Sequence, residues 1–585
     1  MIVRPKRIYR KRIPYGMQNF EDVIKEDCYY VDKTPFIEQI EESNKYFFFI
    51  RPRRFGKTLT LSMLENYYDI NKKDKFEKIF GKLYIGQNPT PEHNTYLIIH
   101  LNFAEVAAGL DDYKNGLDNH CRLVFNFFCD IYAHILPANT KEEMEKLTDA
   151  VSQLRFLCQK CQEVGKKIYL FIDEYDNFTN MILAHEEHLM RYRNQTRGEG
   201  YLRQFFNTIK GAAGNTLGRV FVTGVSPVTM DDLTSGFNIG TNYSLSPKFN
   251  EMTGFTEEEV REMLDYYGSV LPFNHTTDEL IKLMKPWYDN YCFAAKSYGK
   301  TTMYNSVMVL NFISNYIDNE YDIPDSMVET NIRIDYDKLR MLIRHDKEFA
   351  HDASIIQQLV TQGFVIGTLN ENFPAERIND PDNFLSLLFY FGMVTIDGTY
   401  KGETKFIIPN EVVRDQMYTY LLDTYKENDL VYDRYSKGKL ESKLAYDGQF
   451  KPYFEYIADC LKKYSSQRDK QKGEAFVHGF TLAMTSQNKF YRPISELDND
   501  GGYADIFLSP LCDIYKDMVD SYIIELKYCK SQTTDEQVKK LFEEASAQIS
   551  RYADSDMVRE AVKTTKLHKL VVIYRGAEMV ACEEI

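Results

Sequence analysis

The chain has 585 residues, 44% of them hydrophobic and 14% aromatic, so it can bury large cores, and its length predicts several domains. No apolar run approaches the roughly eighteen residues that cross a bilayer, and the basic start of the chain lacks the apolar stretch of a secretory signal. We therefore expect no membrane partner. The formal net charge of -15 argues against an overall basic face, so any contact with nucleic acid must be local.

Cysteine usage points to a reducing compartment. Ten cysteines are scattered along the chain, and only Cys158 and Cys161 form a C-x-x-C pair. Without a second pair or nearby histidines, this spacing favours two residues of a helix over half of a zinc site. The expected location is the cytoplasm.

The first predicted elements are a strand, a loop and a helix. An apolar run at residues 47–50 leads into the loop 51–58, and a helical pattern follows. In this order, Gly56, Lys57 and Thr58 predict a phosphate-binding loop. The backbone N–H groups can hold a β-phosphate, the Lys can bridge the β- and γ-phosphates, and the hydroxyl can bind Mg²⁺. The alternative, an ordinary surface turn, stays open.

Two acids end a strand further along the chain. The five apolar residues 168–172 show no alternation and therefore predict a buried parallel strand, with Asp173 and Glu174 at its carboxyl end. Asp173 is predicted to hold Mg²⁺ through its water shell, and Glu174 to polarise the attacking water as general base. The alternative is a strand capped by solvated acids.

Two more strands are predicted for the same sheet. Residues 96–102 lie between the two motifs, and we interpret them as the extra strand that separates phosphate loop and acidic strand in one class of NTPases. Residues 219–224 follow the acidic strand, and Thr223 or Ser226 at their end is a candidate sensor of the γ-phosphate. Both segments could equally be ordinary core strands. The residues predicted to bind ATP are Arg53, Arg54, Phe55, Gly56, Lys57, Thr58, Asp173 and Thr223.

The pattern changes twice more along the chain and predicts three domains, at residues 1–250, 251–430 and 431–585. Thr256 and Glu259 form a capping box, and mostly helical segments follow, which we interpret as a lid and scaffold. The last domain is predicted to be a compact α/β unit with its own sheet. Its predicted elements are a helix from Glu474, strands at 503–508 and 522–527, a helix at 545–552 and a strand at 570–574.

A second group of charged residues lies on the strands of this last domain. Glu525 and Lys527 share one face of their strand, and Asp505 on a neighbouring strand can converge with them within about 5 Å. The two carboxylates, with Glu474 completing the shell, are predicted to chelate Mg²⁺, which activates a water for attack on a phosphodiester, while Lys527 orients or deprotonates it. Gln548 and Tyr552, one helical turn apart, would brace this site. The alternative is a charged pair that points outward from an edge strand.

Several segments of the chain resemble one known family, the AAA-ATPase-like proteins, whose members often end in a PD-(D/E)XK nuclease-superfamily domain. The similarity covers nearly the whole chain and is strongest over the first 310 residues. Arg51 stands where the usual phosphate loop has its first glycine, and the family has Arg there too. Asn290 and Ser306 depart from the family pattern, and so does Gly502-Tyr503-Ala504-Asp505, where the family shows Gly-Arg-x-Asp. The segments that carry the resemblance are 15–20, 30–34, 51–58, 173–176, 254–256, 287–293 and 304–306.

The resemblance implies a fold class and an activity. The expected fold is α/β, with a P-loop NTPase domain of the additional-strand, AAA-like class, a helical middle region and a restriction-endonuclease-like C-terminal domain. The expected activity is an ATPase, with ATP and Mg²⁺ as cofactors, coupled to a nuclease-type domain. From the two acid-containing sites at opposite ends of the chain we further expect that the nucleotide state moves the lid between residues 255 and 430. That movement would regulate a Mg²⁺-dependent nuclease with Asp505, Glu525 and Lys527 as catalytic residues.

Other interpretations remain. The protein could be a non-catalytic, ATP-dependent switch or scaffold whose nuclease-like domain only binds nucleic acid or a protein partner. A phosphate-loop kinase is disfavoured because Glu174 suits water activation better than transfer to a hydroxyl. The basic N-terminal arm and a second basic cluster are the candidates for DNA or RNA contact, although such runs are more often solvated or bound to the protein's own acidic surface. An arginine segment could complete a neighbour's site in a homo-oligomer, and the favoured alternative is a solvated helix. The cluster is Lys462, Lys463, Arg468, Lys470 and Lys472, and the arginines are Arg191, Arg193, Arg197 and Arg203.

Overall fold

The chain divides into two compact units in the computed structural model. The first consists mainly of Met1–Asp322 and Ile366–Asn410, and the second mainly of Glu411–Ile585. The predicted domain boundaries near residues 250 and 430 stay a prediction. The structure describes residues 10–106, 112–177, 200–228, 239–328, 355–378, 380–427, 430–466, 473–499, 502–552 and 556–585.

The described helices and strands are numbered here in chain order. The helices up to the end of the first long segment are α1 Phe20–Lys25, α2 Phe36–Glu41, α3 Lys57–Tyr68, α4 Phe76–Phe80, α5 Tyr84–Gln87, α6 Tyr113–Ile131, α7 Thr140–Met144, α8 Ala150–Glu163, α9 Tyr201–Ala212, α10 Glu257–Val270, α11 Thr277–Tyr288 and α12 Ser306–Asp318. The later helices are α13 Ile355–Thr361, α14 Pro381–Tyr390, α15 Glu411–Glu427, α16 Arg434–Tyr446, α17 Lys451–Ser466, α18 Glu474–Ser486, α19 Asp535–Tyr552 and α20 Asp556–Val562. The strands are β1 Tyr46–Ile50, β2 Tyr96–Asn102, β3 Lys167–Asp173, β4 Leu217–Gly224, β5 Thr241–Asn242, β6 Phe364–Gly367, β7 Thr395–Tyr400, β8 Glu403–Ile407, β9 Tyr491–Asn499, β10 Gly502–Pro510, β11 Asp520–Cys529, β12 Lys566–Arg575 and β13 Glu578–Glu584.

A parallel sheet forms the centre of the first unit, in the order β2-β3-β4-β1-β5. Its inner strands are buried along nearly their whole length, as their apolar runs predict. β4 lies between the phosphate-loop strand β1 and the acidic strand β3, so the fold is the additional-strand class. The extra strand is therefore β4, and the interpretation of residues 96–102 as that strand was wrong: β2 lies at the sheet edge. Sequence order alone does not give the spatial order of strands, which long-range pairing decides.

Aromatic side chains pack on one face of this sheet. Phe47 of β1 stacks on Phe221 of β4 with ring centroids 5.0 Å apart, and Tyr169 stacks on Phe171 along β3 at 4.2 Å. Leu61 of α3 belongs to the same buried cluster, so the helix after the phosphate loop is held by its apolar face. Such burial stabilises the fold by about 1.5 to 3 kcal/mol for each large side chain.

The middle region is largely helical, as predicted. Thr256 and Glu259 form the predicted capping box at the start of α10, with both reciprocal hydrogen bonds present. The region also contains strand β6 and an antiparallel hairpin of β7 and β8, which the sequence did not predict because these strands are short and weakly alternating.

The C-terminal sheet is mixed, in the order β13-β12-β11-β10-β9. β11 and β12 are parallel, and the other neighbours are antiparallel. Helix α19 packs on one face, where its Ala545 and Ile549 contact a core that includes Phe507, Ile523 and Val571. The predicted helices and strands of this domain are confirmed, and β9 and β13 were missed.

Among the described residues, no helix has both the length and the apolar character that spanning a bilayer requires. All ten cysteines lie in the described part of the chain, and all have free thiols. Cys158 and Cys161 are buried side chains of α8, so the helical interpretation of this pair is confirmed.

Candidate active sites

The phosphate loop joins β1 to α3 with a turn that requires glycine. Gly56 precedes the helix with φ at 88°, in the left-handed region that is strained for residues with a Cβ. The helix begins at Lys57, so the free N–H groups of its first turn lie directly after the loop. A helix N-terminus of this kind attracts phosphate through those N–H groups and the helix dipole.

The side chains of Lys57 and Thr58 contact the loop itself and the acid at the end of β3, respectively. The Nζ atom of Lys57 donates to the carbonyl oxygens of Arg51 and Pro52, at 3.0 and 3.1 Å, and so spans the loop. Burial lowers the pKa of Lys57, while the nearby carboxylates of Glu174 and Asp173 oppose that shift. The hydroxyl of Thr58 donates to Oδ2 of Asp173 at 3.0 Å, so the loop and the end of β3 meet.

Asp173 and Glu174 lie at the carboxyl end of β3, next to the loop. Asp173 is 2% exposed, and burial, followed by the neighbouring Glu174, raises its pKa. Its Oδ1 accepts a hydrogen bond of 2.9 Å from the backbone N–H of Glu174. Glu174 has a positive φ of 49°, a conformation that costs a residue with a Cβ about 1 kcal/mol or more. This strain is typical of residues whose direction is fixed by a site.

Arg51 connects the start of the loop to other parts of the first unit by hydrogen bonds. Its guanidinium donates to the carbonyl oxygens of Ile50, Ser244 and Phe249, at 3.0, 2.6 and 3.0 Å. It also lies over the rings of Phe49 and Phe293, 4.2 and 4.3 Å from their centroids. Burial lowers the pKa of Arg51 to about 9. Arg51 is therefore a structural residue, which explains how the loop tolerates Arg where other phosphate loops have glycine.

We expect Arg51→Ala to lower the free energy of unfolding by at least about 3 kcal/mol, because buried carbonyls lose charged donors and a cavity forms. Urea denaturation followed by circular dichroism measures the change. The control is Arg122→Ala, an exposed α6 residue that bonds only to Asn119 among the described contacts of its side chain. Equal stability of the two variants would contradict the structural role.

The phosphate loop is also bonded to the middle region. The Phe55 ring is 1% exposed and packs edge-on against Tyr291 and Phe293, at 4.9 and 5.2 Å. The carbonyl of Phe55 accepts from the Gly254 N–H at 3.0 Å, and the carbonyl of Arg54 accepts from the Ser306 hydroxyl at 3.2 Å. Because the Phe55 side chain is buried against protein, the backbone N–H is the group of Phe55 that could bind a phosphate.

The structure shows how Asn290 and Ser306, which depart from the family pattern, are accommodated. Asn290 has a positive φ of 79°, a conformation that Asn adopts more readily than most residues, so it can stand where the family has glycine. Ser306, which replaces the family's proline, is the first residue of α12 and uses its hydroxyl to bond the loop. Both residues therefore act on the contact between loop and middle region.

Thr223 and Ser226, the candidate sensors of the γ-phosphate, form hydrogen bonds within the protein. The Thr223 hydroxyl donates to the carbonyl of Phe49 at 2.7 Å, across the β1–β4 pair. The N–H of Ser226 donates to Asp176 at 2.6 Å, and the Tyr175 hydroxyl donates to the carbonyl of Ser226 at 2.5 Å. The sensor role stays a prediction. Asp176 and Tyr175 were missed as positioning residues, and their place directly after the Asp-Glu pair was the available signal.

A second group of charged side chains meets in the C-terminal sheet. Asp505 of β10 and Glu525 of β11 lie on adjacent antiparallel strands, and Oδ2 of Asp505 accepts from the N–H of Leu526 at 2.8 Å. The Nζ atom of Lys527 is 2.6 Å from Oε1 of Glu525 and 3.6 Å from Oδ2 of Asp505. The predicted convergence of these three side chains is therefore present.

Glu525 is a buried carboxylate with one unpartnered oxygen. It is 1% exposed, and its Oε2 atom is buried without a hydrogen-bond partner, as is Oε1 of Gln548. Burial, followed by the Asp505 carboxylate, raises the pKa of Glu525 to about 7. A divalent cation would compensate the buried charge, so the carboxylates of Asp505 and Glu525 are of the chemical type that an oxygen-ligated ion such as Mg²⁺ takes.

Glu474 is less closely placed. It is the exposed first residue of α18, and within the described chain no three His, Cys, Asp or Glu side chains are grouped closely enough to hold a metal ion. Burial lowers the pKa of Lys527, and the carboxylates of Asp505, Glu525 and Glu474 together overcome that effect and raise it. The role of Glu474 as a ligand stays a prediction.

His478 is a residue that the sequence did not single out. It lies one helical turn after Glu474, is 8% exposed, and its Nε2–H donates to the carbonyl of Asp505 at 2.9 Å. Burial lowers its pKa, which keeps the ring neutral and suited to this bond. His478 therefore positions the backbone that carries Asp505; a lone His on an apolar helix gave no signal for that role.

The raised pKa of Glu525 predicts a pH-dependent stability in metal-free solution. Between pH 4.5 and about 7 the unfolded chain ionises Glu525 while the folded chain keeps the proton, so stability falls as the pH rises and levels off above that range. We expect a loss on the order of 2 kcal/mol for this group. Urea unfolding at pH 5 and 8 in the presence of EDTA measures it. Glu525→Gln should remove most of the slope, and an unchanged slope would contradict the assignment.

Some predicted contact residues lie outside the described part of the chain. These are Arg191, Arg193 and Arg197, the arm before Arg10, and Arg468, Lys470 and Lys472. Of the remainder, Arg203 is in α9, Lys462 bonds Glu578 at 2.7 Å, and Arg12 bonds Glu26 at 2.5 Å. The side chain of Tyr552 is also outside the description. Nucleic-acid contact and an arginine finger stay predictions.

Two segments of the chain match known protein families. Residues 14–234 match the family described as "Predicted AAA-ATPase", and residues 472–584 match the PD-(D/E)XK nuclease superfamily. The uncharacterised protein in the vnfD 5′ region of Azotobacter chroococcum mcd 1 is 25% identical over 287 residues. The match covers 48% of this chain and 49% of that relative, so it spans about half the length of each.

Two solved structures are distantly similar. Cdc6p from Pyrobaculum aerophilum is 12% identical, with a TM-score of 0.26, and the match covers 72% of this chain and 97% of that one. The ORC2 protein of Aeropyrum pernix, solved as ADPNP–ADP complexes, is 10% identical, with a TM-score of 0.31, and the match covers 67% and 93%. Similarity at these TM-scores carries no argument about this chain.

Proposed function

Because the chain carries a predicted AAA-ATPase domain and a C-terminal PD-(D/E)XK nuclease-superfamily domain, we propose that it binds and hydrolyses ATP and that its nucleotide state regulates cleavage of nucleic acid. The observation that carries the ATPase part is the bond between the Thr58 hydroxyl and Asp173. In phosphate-loop NTPases these two residue types hold Mg²⁺ beside the phosphates. The pair is already within 3.0 Å in this chain.

The remaining residues of the first site have distinct proposed roles. Lys57 exchanges its two carbonyl bonds for phosphate oxygens, and the amides of Phe55 and Gly56 cradle the β-phosphate. Glu174 accepts a proton from the attacking water, since it lies beside Asp173 in a fixed, strained conformation. Arg53, Arg54 and Thr223 are proposed to line the ATP site. Mg²⁺, when bound, supplies charge neutralisation for the transferred phosphate.

The bonds of Arg54 and Phe55 to residues 254, 291, 293 and 306 support the regulatory part of the proposal. A phosphate would accept from N–H groups of the same loop whose Arg54 and Phe55 carbonyls hold these bonds, so a shift of the loop on binding would move both sets of contacts. We therefore propose that nucleotide binding repositions the middle region and thereby alters the activity of the C-terminal domain. The presence of both groups of candidate site residues in one chain favours this coupling over two unrelated activities.

The C-terminal site is proposed to cleave a phosphodiester bond. Asp505 and Glu525 would hold a divalent cation, which supplies a nucleophilic water and neutralises the scissile phosphate. Lys527, held by both carboxylates, would orient that water or accept its proton. DNA or RNA as substrate, a cytoplasmic location and a homo-oligomer belong to the same proposal.

Incubation of the purified chain with Mg²⁺ and single- and double-stranded DNA and RNA, with and without ATP, tests this function. Cleavage that requires Glu525 and changes with ATP is the expected result. ATP turnover without cleavage of any substrate would overturn the nuclease part and favour the switch or scaffold. The absence of both ATP binding and cleavage would overturn the proposal as a whole.

A further inference from the structure

A cavity of about 440 Å³ lies at the edge of the first sheet, away from the residues that form the proposed ATP site. It is lined by side chains of α1, α3, β2 and α6. One wall is apolar and aromatic, with Phe127, Phe128 and Tyr132 among its residues. Phe127 is 67% exposed, and with Leu123 and Ile131, at helical spacing, it leaves an apolar strip on the outer face of α6. The cavity is therefore open to a ligand with an apolar body.

The opposite lining is acidic. Glu21, Glu65, Asp69 and Glu105 line the cavity, together with Lys72 and His100. His100 is 2.5 Å from Glu65, and Glu21 also pairs with Lys75 at 2.6 Å, so among the described residues Asp69 and Glu105 are the lining carboxylates without an ion pair to a lysine, an arginine or His100. Lys72 is already 2.5 Å from Glu21. Oδ1 of Asp69 accepts from neutral donors, the Tyr132 hydroxyl and the Asn71 N–H, both at 2.9 Å. Burial raises the pKa of Asp69, and its hydrogen bonds and the charge of Lys72 oppose that shift.

Two acceptors in the same lining are buried without partners. Oδ1 of Asn66 and Nε2 of His120 have no hydrogen-bond partner, and the two residues are 7% exposed. Nδ1 of His120 faces Glu105 at 3.9 Å, and burial lowers the pKa of the ring, so a neutral ring with its proton on Nδ1 leaves Nε2 free to accept. A buried acceptor without a partner destabilises the fold, and a ligand N–H group that reaches it removes that cost.

The cavity adjoins the elements that carry the ATP site. Its α3 wall belongs to the helix that begins with Lys57 and Thr58. On β2, the lining residue Asn102 is directly opposite Asp173 in the parallel register. His100, also in the lining, is close enough for its charge to lower the pKa of Asp173. An occupant that moves α3 or β2 would therefore alter the nucleotide site.

We propose that this cavity binds an organic cation with an aromatic or alkyl body, such as an amine, amidine or guanidine, and that the occupant changes the affinity of the neighbouring site for ATP. The carboxylates and unpartnered acceptors receive the N–H donors of the cation, and the aromatic wall holds its body and contributes cation–π contacts. The coupling to ATP rests on the proposed function; the binding of the cation does not.

Isothermal titration calorimetry of the full chain with benzamidine tests the ligand class. We expect one site, at least about tenfold weaker binding of the neutral isostere benzamide, and no binding of benzoate. Asp69→Asn keeps the shape but removes the charge, and should weaken benzamidine about tenfold. Phe127→Ala, at an exposed position that does not threaten folding, should weaken it as well. Glu42→Gln, an exposed acid elsewhere on the unit, should leave it unchanged.

Equal binding of benzamidine and benzamide, or benzamidine binding that neither Asp69→Asn nor Phe127→Ala weakens, would overturn the cation site. ATP titrations with the cavity filled and empty test the coupling, and we expect the apparent ATP affinity to change severalfold. Benzamidine binding with unchanged ATP affinity would overturn the coupling alone. Benzamidine binding by a chain that binds no ATP would overturn the proposed function and leave the ligand class standing.

Discussion

Lys57→Met should reduce ATP affinity at least about a hundredfold, to a level that titration calorimetry does not detect. Lys57 is a buried ammonium whose two described hydrogen bonds go to carbonyls of the loop itself. Those carbonyls belong to the loop that is proposed to bind the phosphates. The ammonium therefore lies where it can neutralise phosphate charge. Methionine keeps the aliphatic stem and most of the packing, and so removes little besides the charge and its donors.

The matched control is Lys45→Met, an exposed lysine just before β1 that carries the same charge but lies at the other end of the strand. ATP affinity should not change in this variant. Thermal unfolding without nucleotide should show that both variants fold. If folded Lys57→Met binds ATP as tightly as the unchanged chain, residues 51–58 do not form the phosphate-binding loop.

Much of the first site could be predicted from the sequence because its parts are local. The strand, glycine turn and helix around Gly56, and the acids at the end of β3, are contiguous segments with strong patterns. The order of strands was not local, and so the extra strand was assigned to β2 rather than β4. Arg51 was also beyond sequence reasoning, since its partners Ser244 and Phe249 are about two hundred residues away along the chain.

The second site also has features that could be predicted from the sequence and features that could not. The alternation of apolar and charged residues placed Glu525 and Lys527 on one face, and the antiparallel pairing supplied Asp505. The positioning bond from His478 depends on how α18 packs on the sheet, which no periodicity encodes. The start of α18 at Glu474 was predicted correctly, but the exposure of Glu474 depends on how that helix packs, which its sequence pattern does not give.

Glu525→Gln should lower the rate of nucleic-acid cleavage at least about a thousandfold, which corresponds to about 4 kcal/mol of lost transition-state stabilisation. The amide keeps the volume of the buried side chain and can still accept from Lys527, so the variant isolates the loss of one negative charge. The Oε2 atom of Glu525 has no hydrogen-bond partner in the protein. A divalent cation bound there would need the negative charge of this carboxylate. Cleavage of a labelled substrate from the panel, in Mg²⁺, measures the effect.

Two comparisons make this result decisive. Glu583→Gln changes an exposed acid of β13 that bonds Lys451 at 3.0 Å, and it should cleave at the unchanged rate. Mn²⁺ binding, followed by calorimetry, should weaken in Glu525→Gln but not in Glu583→Gln, because only the first removes a ligand. If both variants cleave alike, the strand pair of Asp505 and Glu525 is not the catalytic centre. If Mn²⁺ binding weakens but the unchanged chain cleaves nothing, the site binds a metal without catalysis, as the switch interpretation requires.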